Sequence, residues 1–123
     1  MSEIRATTIS NAAGTGPATL TGQAASKSFC YFNGNGTLAV YTTFNTSSVT
    51  DNGVGMYTVS MTNAMSDVYY SKIATGGRDS SADQGRFLGL YDATTSSFKV
   101  QAQFSSTDEA DSQVSTCILG DLA

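Results

Sequence analysis

The sequence has no histidine, no tryptophan and a single proline, and charged residues fill only 13% of its 123 positions. Each scarcity excludes something. Without histidine, one chain can build no Ser-His-Asp triad, no Cys-His pair and no imidazole metal site. Six basic residues against ten acidic ones give a net charge of −4. Such a surface repels a phosphate backbone, so nucleic acid is not an expected partner. The longest unbroken apolar runs, 29–32 and 38–41, fall far short of the roughly 20 residues of a membrane span. No membrane insertion is expected. The opening MSEIRATTIS carries Glu3 and no apolar stretch, so it does not read as a secretory signal. The expected compartment is a cytoplasm, or a larger particle assembled there.

What is abundant is small and hydroxylated: Ser and Thr together fill 34 positions, and there are twelve Gly. An apolar fraction of 40% gives a real but modest core. A chain of this size buries roughly 65% of its extended surface, so self-association is a natural supplement. The two cysteines, Cys30 and Cys117, each sit in a strand-like run. In a reducing compartment they read as free, buried small hydrophobes. A disulfide would require their strands to be neighbours with suitable geometry.

Two regions are predicted. Residues 1–26 form an extended N-terminal arm, in which Ile4, Ile9 and Leu20 stand far apart among Ala, Thr, Ser and Gly. Such a segment cannot order itself by burial, so it is disordered or lies on something else. Residues 27–123 form the body. Ser28-Phe29-Cys30-Tyr31-Phe32, the turn signal Asn33-Gly34-Asn35-Gly36 and a returning strand over 37–42 make a hairpin. Asp51-Asn52-Gly53 reads as a second turn, followed by a strand over 55–61. Further strands are predicted over 68–74, 86–91, 97–104 and 114–119. The alternation Phe98, Val100, Ala102, Phe104 against Lys99, Gln101, Gln103 is the clearest in the chain. Seven or eight short strands with turns every 8–12 residues and no helical period specify an all-β fold: an antiparallel β-sandwich or jelly-roll-like body.

Several strands are apolar on both faces. Phe29 and Tyr31 oppose Cys30 and Phe32, and Tyr69 and Ile73 oppose Val68 and Tyr70. A sandwich normally wets its outer face. Two-sided strands imply central burial or a covering partner, and Phe29, Tyr31, Tyr69 and Ile73 are the candidate subunit interface. No motif here carries catalysis, and no cofactor or metal is expected. Acidic residues gather in two loops, with Asp79 and Asp83 in one and Asp108, Glu109 and Asp111 in the other. They lack the Gly and distal Glu of an EF-hand and read as solvated. Gly14-x-Gly16 and Gly34-x-Gly36 precede no helix and carry no Lys-Ser/Thr pair, so neither is a phosphate loop. If the chain binds a receptor, Arg78, Asp79, Asp108 and Asp111 are the candidate contact-loop residues.

The segment Ile4-Arg5-Ala6-Thr7-Thr8-Ile9 with Gly14-Thr15-Gly16-Pro17 resembles the start of small virion-surface proteins of marine and cyanobacterial tailed bacteriophages. Phe32-Asn33-Gly34-Asn35-Gly36-Thr37 is similar to their Asn-Phe-Asn-Gly-x-Gly-Thr hairpin. The run from Phe44 to Val59, Thr62-Asn63-Ala64-Met65 and the ending Gly120-Asp121-Leu122-Ala123 follow in the same order. Where relatives often carry a Trp before the hairpin, this chain has Phe29 or Tyr31. The resemblance implies a non-catalytic structural component at the virion surface, assembled in the host cytoplasm. It implies a short tail fibre or spike, a homotrimer tethered through Ile4, Ile9 and Leu20 of its arm to a neighbouring phage tail or capsid protein. Two alternatives are a capsid decoration (cement) protein and a receptor-binding module recognising host surface glycan.

Overall fold

The computed structural model describes residues 25–77, 86–103 and 109–123. Ile4, Ile9, Leu20, Arg78, Asp79 and Asp108 lie outside the described residues. Among the described residues, eight antiparallel strands form two four-stranded sheets: β1 (Ser28–Asn33), β2 (Ala39–Phe44), β3 (Thr46–Gly53), β4 (Met56–Met61), β5 (Ser71–Gly77), β6 (Phe87–Tyr91), β7 (Ser97–Gln103) and β8 (Gln113–Leu119). The first sheet has the order β2-β1-β8-β5 and the second β3-β4-β7-β6. No helix occurs among the described residues. The sandwich expected from the turn spacing is the fold.

Alternation builds the core. β4 sends Tyr57, Val59 and Met61 inward, and β7 sends Phe98, Val100 and Ala102. Cys30, Phe32, Val114 and Ile118 meet them from the first sheet. Phe32 and Tyr57 pack edge to face across the layers with centroids 5.0 Å apart, a favoured aromatic geometry. Cys30 is buried and Cys117 lies on the opposite face of the adjacent strand, and both thiols are free.

Two strands differ from the sequence reading. The run 68–74 does not begin as a strand. The Asp67 carboxylate accepts a hydrogen bond from the Tyr69 backbone N–H at 2.8 Å, a local turn that competes with ladder pairing. β5 therefore starts at Ser71. Tyr70 turns into the core, its hydroxyl directed at the carbonyls of Thr94 (2.8 Å) and Ser97 (3.1 Å). Asp51-Asn52-Gly53 is likewise no turn. β3 runs through it with an irregular register between Asp51 and Gly53, and the reversal falls at Val54-Gly55. Gly55 has φ +67°, and an added Cβ would lie 2.5 Å from the Ala102 carbonyl oxygen, so the tight turn requires glycine there.

The chain passes from the first sheet to the second at Asn45, which holds φ at +52°, a region Asn tolerates better than most residues. Its amide donates to the Lys27 and Asn63 carbonyls at 3.0 and 3.1 Å, and its side-chain oxygen accepts from the Asn63 N–H at 2.7 Å. One side chain thus ties together the start of β1, the β2–β3 crossing and the segment after β4.

Candidate functional site

The two outer faces of the sandwich differ in chemistry. On the second sheet, β7 presents Ser97, Lys99, Gln101 and Gln103 outward, and β3 and β4 present Ser48, Thr50, Thr58 and Ser60. Lys99 pairs with Asp92 at 2.8 Å, and that contact raises the lysine pKa above its ordinary value. Its aromatic groups, Phe87 and Tyr91, both sit on the edge strand β6, with Lys99 Nζ over the Tyr91 ring, and the rest of this face is polar and wet, as an antiparallel sheet's outer face usually is.

The first sheet's outer face is different. Register places Phe44 opposite Phe29, Phe29 opposite Cys117, and Cys117 opposite Ile73. These four form one row across all four strands. The Phe29 and Phe44 rings stack at 5.7 Å with 24° between their planes. One step along, Tyr31 packs on Tyr41 at 5.3 Å, and the Tyr31 hydroxyl donates to Gln113 Oε1 at 2.9 Å. Tyr41 reaches this face because the β1–β2 register shifts beside it. Phe44, Tyr41 and Ile73 remain 51%, 56% and 49% exposed. The outward residues of β5 and β8 are Ser71, Ile73, Thr75, Gln113, Ser115, Cys117 and Leu119, so no outward strand residue of the face carries a formal charge, and Lys27, at the parity of Phe29, lies just outside β1.

Three of the four predicted interface residues, Phe29, Tyr31 and Ile73, therefore share this face. Tyr69 does not. It precedes β5 and is 89% exposed. Sequence reasoning missed Phe44, Tyr41 and Cys117. Fixing the hairpin register around Asn33–Gly36 would have placed Phe44 opposite Phe29, but the expected second strand stopped at Thr42.

Asp111, the one described residue of the four candidate contact residues, works internally. Its Oδ1 accepts from the Gly55 N–H at 2.9 Å and from the Tyr57 hydroxyl at 3.3 Å. The Ser112 N–H donates to the same phenol oxygen at 3.3 Å, and the Ser112 hydroxyl donates to the Gly77 carbonyl at 3.0 Å. The Gly34 N–H donates to the Ser112 carbonyl at 2.9 Å. This bracket joins three loops and the end of β5 at one end of the sandwich. Burial pushes the Tyr57 phenol up to about 12 and the Cys30 thiol up to about 11. Both are neutral packing groups at ordinary pH. Among the described residues, no three His, Cys, Asp or Glu side chains converge to hold a metal.

Beside β2, the outermost described strand of its sheet, lies a cleft of about 200 Å³, lined by Val40, Thr43, Thr46, Ser47, Ser48 and Val49. It is uncharged and sits between the edge strands of the two sheets. Compared with known protein families, with curated proteins and with solved structures, the chain matches none.

Proposed function

We propose that the chain is a non-catalytic structural component of a tailed-phage particle: a short surface fibre or spike, assembled as a homotrimer through the outer face of its first sheet. The carrying observation is the contrast between the two outer faces. One is wetted by Lys, Gln, Ser and Thr, and the other shows a row of Phe44, Phe29, Cys117 and Ile73 flanked by Tyr31 and Tyr41. At a net charge of −4, copies repel one another in general. An uncharged face is where they can meet without juxtaposing like charges. Each half-exposed aromatic or aliphatic side chain that becomes covered contributes about 1 kcal/mol. The four on this face that stand clear, Phe29, Tyr41, Phe44 and Ile73, make a contact of useful strength. The threefold and the phage particle are supported by the resemblance of the N-terminal segment and of the Phe32–Met65 region to small virion-surface proteins.

The test is immunogold labelling of intact particles of the phage that carries the sequence, using antibody raised against the purified chain. The reading predicts label on the particle surface. Label confined to the infected-cell extract, with bare particles, contradicts it.

A further inference from the structure

We propose that Asn35, in the turn that joins β1 to β2, is a self-modification site: the Gly36 backbone nitrogen displaces its side-chain amide, leaving aspartate or isoaspartate. The reaction draws on no partner and is independent of the self-association proposed above. It asks three things of an asparagine. The next backbone nitrogen must be unshielded by a side chain, its N–H must not be held by an acceptor, and the chain must be free to bring it to Cγ. A following glycine meets the first. Three Asn-Gly pairs occur in the sequence, Asn33-Gly34, Asn35-Gly36 and Asn52-Gly53, and the fold separates them on the other two.

Asn33 is locked. It ends β1, paired with Ala39 on one side and Gln113 on the other. Gly34 is buried, and its N–H donates to the Ser112 carbonyl at 2.9 Å. The Tyr57 ring fills the space beside it. Releasing this nitrogen undoes the bracket at that end of the sandwich. Asn52 is held differently. It lies within β3, its Nδ2 donates to Thr58 Oγ1 at 2.8 Å, and the Gly53 N–H donates to Asp51 Oδ1 at 2.9 Å. The nitrogen must become an anion to attack, and the Asp51 carboxylate opposes that charge.

Asn35 and Gly36 carry neither restraint. They lie between strands, and Gly36 is exposed. A Cβ added at Gly36 would meet nothing within 4 Å. Among the described residues, no acceptor takes the Gly36 N–H. The hydrogen bonds of Asn35 go to one atom in its own turn: its backbone N–H and its Nδ2 both donate to Asn33 Oδ1 at 2.9 Å. Such local bonds open without breaking a ladder or uncovering the core.

The reaction needs only water. Hydroxide takes the Gly36 N–H proton. The nitrogen bonds to Asn35 Cγ, the Cγ–Nδ2 bond breaks, and Nδ2 leaves as ammonia with a proton from water. The five-membered imide then takes up one water. Opening at Cγ gives aspartate, and opening at the main-chain carbonyl gives isoaspartate, with the chain rerouted through the side chain. Either product adds one negative charge to a net −4, at the end of the sandwich that already carries Asp111.

The full-length chain is incubated in neutral buffer, folded and in guanidinium, until the unfolded chain has lost measurable amide at all three asparagines. Proteolysis and fragmentation mass spectrometry locate the amide-to-acid mass gain residue by residue. Methyl transfer by an isoaspartate methyltransferase reports the rerouted product. The proposal predicts comparable loss at the three sites in the unfolded chain. In the folded chain, loss at Asn35 is expected to be about tenfold or more faster than at Asn33 and Asn52. Asn35→Gln, which must close a slower six-membered imide, is expected to remove most of the methylation. A folded chain in which Asn35 stays intact, or loses its amide no faster than Asn33 or Asn52, overturns the proposal. So does methylation undiminished in Asn35→Gln.

Discussion

Gly34 sits against the ring of Tyr57, and that contact makes a sharp energetic prediction. A Cβ added at Gly34 would lie 2.6 Å from Tyr57 Cε1 and closer still to Cζ and the hydroxyl. Tyr57 is fully buried, and its hydroxyl is held by Asp111 and the Ser112 N–H. The ring cannot step aside without losing both. Overpacking of this kind costs about 1–3 kcal/mol, and each lost hydrogen bond adds about 1 kcal/mol. Gly34→Ala is therefore expected to cost about 3–4 kcal/mol. Tyr57→Leu alone should cost about 3 kcal/mol through the space it leaves and the partners it strands. Together the two should cost about 3–4 kcal/mol, well below their sum, because the alanine methyl fills room that the phenol vacated. The coupling is then about 3 kcal/mol. Urea unfolding followed by far-ultraviolet circular dichroism at one fixed protein concentration measures all four chains. Additive costs, or a Gly34→Ala chain within 0.5 kcal/mol of the parent, refute the reasoning.

Other outcomes follow from the same contacts. Asn45→Ala removes four hydrogen bonds and puts alanine, which tolerates the left-handed region less well than asparagine, at φ +52°. A loss of about 2–4 kcal/mol in urea midpoint analysis is expected, and a loss under 1 kcal/mol would contradict the role given to the crossing. The Tyr57 and Cys30 pKa values are raised in the folded state to about 12 and about 11 from 10.0 and 9.0. The stability that these groups contribute is complete below pH 9 and is lost as pH rises through 9–12, by about 2–3 kcal/mol each. Cys30→Ala should flatten the lower part of that decline, and an unchanged alkaline profile would argue against it. With a thiol-reactive dye, Cys117 should react in the folded Phe29→Glu monomer and be shielded in the assembled parent, and Cys30 should react only on unfolding. Equal rates in that monomer would show that Cys30 is not enclosed.

Most of the fold was legible because its signals are local. The Asn33–Gly36 turn, with Gly36 at φ +70°, and the alternation through Phe98, Val100 and Ala102 needed no long-range knowledge. The failures are equally physical. Asp51-Asn52-Gly53 has turn chemistry, yet the ladder with β4 carries the strand through it, with Asn52 Nδ2 bonded to Thr58 Oγ1 at 2.8 Å. Tyr69 looked like a strand residue because period 2 counts side chains and does not see the Asp67 carboxylate capturing the Tyr69 backbone. The candidate face was half legible. Phe29, Tyr31 and Ile73 are apolar at outward parity, but their union with Phe44 and Cys117 depends on register between strands as distant as β1 and β8, which no local pattern encodes. Asp111 read as a surface acid because its partners, Gly55 and Tyr57, lie more than fifty positions away.

The central claim is that the uncharged outer face of the first sheet joins copies of this chain. Light scattering coupled to gel filtration, on the full-length chain and on Phe29→Glu, tests it most directly. Phe29 is partly exposed and outward, so its replacement leaves the core intact while placing a charge in the centre of the row. The account predicts about 38 kDa for the parent, three times 12.8 kDa, and a folded monomer for Phe29→Glu. A monomeric parent, or a Phe29→Glu chain that stays trimeric, contradicts it.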